Sequence, residues 1–322
     1  MGITPLRRTP RIRPTTLGYL VVIIAATLEA TRQILSKSLL VPNETTLSSL
    51  NPLTISFLIF IINGVFFSPF TRKTGSVREI KKKDILFVAL IGIAESAALI
   101  TYFFGLRDST ALNASVLNNG EILFSALIAI IVFREKLQKM ERVPFAMMVV
   151  GMVALPVGYD IYTHGISMSK LVIGDILLLL AGLFWALDIN MSNYVSDRLG
   201  SQRITQLASF AAGLFALTLI AIFQVPFNLD WSHIPTIALI GIVSIGMSTA
   251  LFITGLKLIG AVRTILIYSI NSGFGVVFAA VFLHDQVTFA SVLSVSIAFL
   301  GLYLLRNRLA GKETFMKIER PK

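Results

Sequence analysis

The sequence predicts an all-α integral membrane protein, with ten transmembrane helices arranged as two inverted five-helix repeats. Three observations carry this expectation. Hydrophobic residues make up 55% of the 322-residue chain and charged residues only 14%, where soluble domains carry about 25% charged residues. The apolar residues come in blocks of about 20, the length that crosses roughly 30 Å of hydrocarbon as a helix. They do not alternate along short strands, as a transmembrane barrel would require. Finally, the second half of the chain repeats the first at a nearly fixed offset.

The chain opens with a basic tail, residues 1–17, that carries Arg7, Arg8, Arg11 and Arg13. The first span follows at 18–40. A secretory leader has a shorter and purely apolar run, whereas Glu29 and Arg32 interrupt this one, so it is expected to remain as a helix. Further spans are expected near 51–70, 84–106, 109–132, 143–160, 171–194, 204–225, 235–256, 261–283 and 287–305. Pro42, Pro52, Pro69, Pro144, Pro226 and Pro235 fall at their edges, where a missing N–H costs least. Connections are short and leave no soluble domain. The expected units are a first repeat over 18–160, a second over 171–305 and a basic C-terminal tail over 306–322.

Lysine and arginine orient such a chain, because loops rich in them stay in the cytoplasm. With the N-terminus inside, all but four of the 28 basic residues fall on the cytoplasmic side. The exceptions are Arg107 and Lys170 on the far side, and Arg32 and Lys37 within the first span. Both termini are therefore expected in the cytoplasm of a multi-pass cell-membrane protein. The net charge of +11 is explained by topology and does not call for nucleic acid. The chain has no cysteine, which removes disulfides, thiolate metal sites and cysteine nucleophiles.

The repeat is visible residue by residue. At an offset of 150, Gly105-Leu106 meets Gly255-Leu256, Ala111 meets Ala261, Phe124 meets Phe274, Arg134-Glu135 meets His284-Asp285 and Gly151 meets Gly301. The front halves match at an offset of 156, pairing Gly18 with Gly174, Ala30 with Ala186 and Ser36 with Ser192. Five spans is an odd number, so the second copy enters the membrane from the opposite face. Inverted repeats of this kind are typical of secondary transporters, whose substrate site lies near the midplane between the repeats.

The stretch "GLRDSTALNASVLNNGEILFSALIAIIVFREKL" with "VVGMVALPVG", and its partner "GLKLIGAVRTILIYSINSGFGVVFAAVFLHDQV" with "SIAFLGLYLLRNR", resemble the EamA repeat of the drug/metabolite transporter superfamily. The front halves share the resemblance, notably "LFWALDINMSN". It implies a ten-helix permease for small metabolites, often working outward. Many members carry a proline in the middle of the helix that corresponds to the fourth and ninth spans; this chain has none there.

A charge in the middle of a span costs about 2.5–3.5 kcal/mol on insertion scales and normally faces a cavity or a partner. Glu29, Arg32, Glu95, Glu121 and Asp188 are the five such residues. Helical spacing puts Glu29, Arg32, Gln33 and Ser36 on one face, where Glu29 and Arg32 can pair. A pair that only aids insertion and a pair on the transport pathway both fit. Ser115, Asn118, Glu121 and Ser125 form a stripe on the fourth span. Its repeat mates on the ninth are Ile265, Tyr268, Asn271 and Gly275. Polar glue between helices accounts for Asn118 as well as function does; a lone carboxylate such as Glu121 makes poor glue. Asn118, Glu121, Tyr268, Asn271 and Glu29 are therefore the expected substrate-binding residues, with the aromatic Trp185 and Tyr102 on the pocket wall. Glu95 is either part of the site or a structural partner of Arg32. Arg32 and Asp188 are repeat mates, expected in opposite halves of the membrane as parts of separate gates and not in contact.

Four acids against one base would leave a buried charge of about −3 if all were ionised, so some are expected to hold protons. Glu29, Glu121 and Glu95 are the candidates for proton coupling. The same surplus disfavours polyanionic substrates and favours amino acids, other zwitterions or organic cations. No nucleotide-binding, HExxH or GxSxG motif is present, so a secondary active transporter is expected, without cofactor or metal. A passive channel or membrane sensor is the alternative, and an intramembrane enzyme the more distant one. Substrate identity, direction and oligomeric state are left open.

Overall fold

The computed structural model describes residues 14–41, 50–71, 81–131, 139, 142–164, 170–196, 199–227 and 229–318. Regular structure among them is entirely helical. The first half comprises α1 (Pro14–Ala30), α2 (Arg32–Leu40), α3 (Pro52–Thr71), α4 (Lys82–Asp108), α5 (Ala111–Leu117) and α6 (Gly120–Ile131). It continues with α7 (Arg142–Val149), a π stretch (Val150–Ala154) and α8 (Leu155–His164). The second half comprises α9 (Lys170–Ser196), α10 (Ser201–Ile222), α11 (Ile234–Leu239), a π stretch (Ile240–Met247) and α12 (Ser248–Ile259). It ends with α13 (Ala261–Tyr268), α14 (Ile270–Phe282) and α15 (Phe289–Ile318).

Among the described residues, seven helical stretches are long and apolar enough to cross a membrane: Thr15–Leu40, Pro52–Thr71, Lys82–Asp108, Val172–Ser192, Gln202–Ile222, Trp231–Ile259 and Arg263–Phe282. A further pair, Arg142–Ala154 with Val157–Thr163, meets the same measure together but is bent by 44°. Phe289–Leu304 is a shorter apolar helix. The expected fourth span is two short helices, α5 and α6. Arg134-Glu135, which anchored part of the repeat alignment, lies outside the described residues.

The breaks have local causes. Thr110 caps α5, its side chain accepting from the Asn113 amide at 3.0 Å, as serine and threonine do at helix starts. At the other end, the Asn119 amide turns back three residues to Val116. Asparagine favours such a turn over a helix interior, so α5 ends without a proline. At Ser269, between α13 and α14, the side chain donates to the Leu266 carbonyl at 2.8 Å. Thr31 separates α1 from α2; its hydroxyl donates to Leu28 and shares a hydrogen bond with Ser244, each at 2.7 Å. Gly260 joins α12 to α13 at φ 83°, a conformation that glycine alone adopts freely.

The helices pack along a few long seams. α4 lies against α9, α3 against α10, α10 against α4 and α1 against α12. α7 and its π stretch lie against α15, and α5 against α14. Small residues make the α4–α9 seam possible. A Cβ on Gly105 would stand 2.8 Å from the Gly174 carbonyl oxygen, and one on Gly174 the same distance from that of Gly105. Membrane helices associate through such close backbone approach because lipid offers no hydrophobic drive. Leu20, Ile24, Val65, Leu86, Leu214, Ile222 and Val281 point outward and remain exposed. Apolar residues thus cover both the inner and the outer faces, as expected of helices surrounded by hydrocarbon.

Candidate functional site: a carboxylate-lined central cavity

The α4–α9 and α1–α12 seams converge on a cavity of about 680 Å³, its open mouth included. α1 and α2 contribute Glu29 and Arg32, and α4 contributes Glu95. Asn118 comes from the break after α5, and Glu121 from the first turn of α6. α9 supplies Trp185, Asp188, Ile189 and Ser192. The second π stretch and α12 supply Ile245, Thr249, Phe252, Ile253 and Leu256, and α13 supplies Tyr268. A smaller hollow beside Leu112, Tyr159 and Ser291 has no charged residue in its walls, which sets the chemistry at the first cavity.

Arg32 organises one wall. Its Nη1 meets a Glu29 carboxylate oxygen at 2.6 Å, and its Nη2 donates to the Asn118 side-chain oxygen at 2.8 Å. The guanidinium carbon sits 4.4 Å from the ring centres of both Tyr102 and Trp185. Those rings are 5.4 Å apart and inclined by 58°, so the cation fills the corner between them. Cation–π attraction of this kind is worth about 2 kcal/mol when desolvated. The Nε–H is buried without a partner, and only 4% of the residue remains exposed. Beside α1, the Tyr268 ring lies 4.7 Å from Phe252, and its hydroxyl is 3.2 Å from Ser248 Oγ, which donates to the Ala25 carbonyl. Ser192 donates to Asp188 at 2.8 Å.

The structure brings seven of the sequence-selected residues to this cavity besides Arg32: Glu29, Glu95, Asn118, Glu121, Trp185, Asp188 and Tyr268. Tyr102 is not a wall residue; it is 1% exposed and lies beneath Arg32. Asn271 is also away from the wall, buried with neither side-chain polar atom bonded. Its helix, α14, packs on α1 and α5, and one turn on, a Cβ at Gly275 would collide with Gln33 and Ser115. Arg32 and Asp188, expected in separate halves, line the same cavity. Helical side chains lean toward the helix N-terminus, so Arg32 reaches back to Glu29. Glu95 is not the partner of Arg32; Glu29 and Asn118 are.

Phe252, Thr249 and Ile245 were not among the sequence candidates. The offset that joins Asn118 to Tyr268 also carries Tyr102 to Phe252 and Glu95 to Ile245, and that signal locates two of the three. A polar knot away from the cavity was missed as well. Lys37 Nζ donates to the carbonyls of Leu106, Arg107 and Ser109, which are free acceptors at the end of α4. Ser109 in turn donates to Asp175, which also accepts from Asn113. Asp285 accepts from the Leu112 amide at 3.1 Å. This knot ties the ends of α2 and α4 to the starts of α5 and α9. The cavity walls run the other way, to Ser192 and Leu256 near the C-terminal ends of α9 and α12.

A profile of the EamA-like transporter family matches the sequence twice, over residues 16–155 and 172–307. The chain belongs to the EamA-like transporter family. It is a multi-pass membrane transporter and not an enzyme. The chain is 28% identical over 273 residues to an uncharacterized transporter of Methanothermobacter thermautotrophicus, covering 80% of this chain and 79% of the relative. A second uncharacterized transporter, from Clostridium kluyveri, is 21% identical over 289 residues, covering 88% and 91%. A solved crystal structure superposes with a TM-score of 0.64 at 17% identity, covering 91% of this chain and 98% of the other. That likeness extends to the fold. The EamA-like chain thus presents Glu29, Glu95, Glu121 and Asp188 in one chamber inside a transporter scaffold.

Proposed function

We propose that this EamA-like transporter is a proton-coupled secondary transporter of a small cationic or zwitterionic metabolite, working by alternating access around the central cavity. The observation that carries the reading is the cavity itself. It gathers Glu29, Glu95, Glu121 and Asp188 against the single cation Arg32, among the described residues that line it. Carboxylates shielded from water in this way exchange protons more readily than they remain fully charged. A substrate cation and protons then compete for the same oxygens, which is the simplest form of antiport.

The proposed frame is ten spans in two inverted repeats, residues 18–160 and 171–305, with basic tails at either end. Helix packing supports it. Exchanging each span for the one five places on turns the α4–α9 seam into the α12–α1 seam. The same exchange maps the α3–α10, α5–α14 and α7–α15 seams onto themselves. The unwound Asn119 and Ser269 also correspond at the offset of 150. In this frame the positive-inside orientation puts the Ser192 and Leu256 end of the cavity toward the cytoplasm and the Lys37 knot on the outer side. The chain then stands in an inward-facing state.

Reconstitution into proteoliposomes tests the function. A panel of amines and amino acids is offered with and without an imposed pH gradient. Accumulation of one of them above its equilibrium level, only with the gradient, is the expected result. Equilibration that ignores the gradient would point instead to a passive channel.

A further inference from the structure

The cavity offers no unpaired cation to a substrate carboxylate. Arg32 is the only basic residue among its described walls. That guanidinium is already engaged by Glu29 and Asn118 and stacked between Tyr102 and Trp185, and its Nε–H is buried. A ligand carboxylate or phosphate would have to displace Glu29 from a 2.6 Å ion pair. The other three acids are in the opposite condition. Glu121 is 9% exposed and lines the cavity without a hydrogen bond or ion-pair partner among the described residues. Among the described residues, Asp188 has the Ser192 hydroxyl alone, and Glu95 has no ion pair.

The three acids also divide into two groups. The Glu121 amide lies against α9 at Gly182, where a Cβ would stand 3.0 Å from it. Asp188 is six residues further along the same helix, about 9 Å at 1.5 Å per residue. Glu95 belongs to the Asp188 end. Gly105 meets Gly174 and Tyr102 meets Trp185, so α4 and α9 run antiparallel. Two turns before Tyr102 therefore falls beside the turn after Trp185. Besides the Glu29–Arg32 pair, which lies over Trp185, the walls are largely aromatic and aliphatic, with Trp185, Phe252, Tyr268 and Ile189.

We infer that the ligand of this cavity is a small aliphatic diamine lacking a carboxylate or phosphate, with one ammonium at Glu121 and the other at Glu95 and Asp188. This narrows the substrate class within the transporter reading and rests on it. A four- or five-carbon diamine spans about 6–8 Å between nitrogens from ordinary bond lengths, which suits side chains reaching inward from points about 9 Å apart. Its methylenes lie against the aromatic walls, and its two charges meet the unpartnered acids.

The test is equilibrium binding of tritiated 1,5-diaminopentane to the purified full-length protein, read by scintillation proximity. Competitors are unlabelled 1,5-diaminopentane, n-pentylamine, which lacks the second charge, and lysine, which adds a carboxylate. The diamine is expected to compete at about tenfold lower concentration than either, the scale of one charge contact. Glu121→Gln and Asp188→Asn are each expected to bring the diamine and n-pentylamine within about twofold, with an unchanged gel-filtration profile. No saturable binding to the wild-type protein, or lysine or pentylamine competing as well as the diamine, overturns the inference whatever the variants do. Diamine binding without uptake into proteoliposomes would count against the transporter reading alone. Gradient-driven uptake of another compound, with no diamine binding, would count against the diamine alone.

Discussion

Arg32 is the residue on which the cavity wall depends, because it neutralises Glu29, holds Asn118 and fills the corner between Tyr102 and Trp185. Removing one member of a buried ion pair strands the other, at a cost of about 3–5 kcal/mol. Arg32→Met is therefore expected to lower stability by that amount, and adding Glu29→Gln to recover part of it. Thermal unfolding in detergent measures both; a double variant as unstable as Arg32→Met alone would mean that Glu29 is not the charge Arg32 offsets. The unpartnered carboxylate makes a different prediction. Glu121→Gln mimics a permanently protonated side chain, so gradient-driven accumulation should fall to the equilibrium level while counterflow survives. Accumulation unchanged in Glu121→Gln would remove this residue from coupling. Most of these residues were legible in the sequence because a charge inside an apolar block has few explanations. The errors came from direction. A stripe of residues does not reveal which neighbour covers it, and so Asn271 and Tyr102 were expected on a wall that their neighbours occupy.

Elements were legible where length and composition decide, as in α3, α4, α9 and α10. They were less so where helices break. Neither break holds a proline: α5 ends at asparagine and α13 at serine. Side-chain competition for backbone groups produces those breaks, and it leaves only a faint trace in the sequence. The seam between α4 and α9 is the element on which the cavity's position depends. Gly105→Val inserts branched carbons where a single Cβ already stands 2.8 Å from the Gly174 carbonyl. Overpacking of this kind costs about 1–3 kcal/mol, so unfolding should shift to lower temperature. Val65→Ala, on the outward face, serves as the control and should leave it nearly unchanged. Equal stability of Gly105→Val and wild type would show that the seam relaxes and does not fix the wall.

For the whole molecule, the basic loops predict direction and the repeat predicts motion. The absence of cysteine makes both testable with single thiols. Ser232→Cys, in the exposed turn before α11, should react from outside intact cells, and Ser76→Cys only after permeabilisation; the reverse pattern would invert the orientation. The all-helical, multi-pass plan was readable because apolar blocks of about 20 residues are the length of a membrane-crossing helix. The polar knot of Lys37, Asp175 and Ser109 was not, since it joins residues from helices far apart in the sequence. Alternating access requires that this knot open while the Ser192 end closes. The most direct measurement is the reaction of Thr249→Cys, on the cavity wall, with a membrane-impermeant thiol reagent applied separately to each face. Alternating access predicts modification from both faces, faster from the cytoplasmic one, and protection by bound ligand on each. Modification from one face only, with or without a pH gradient, or from neither although the unfolded protein reacts, would contradict it.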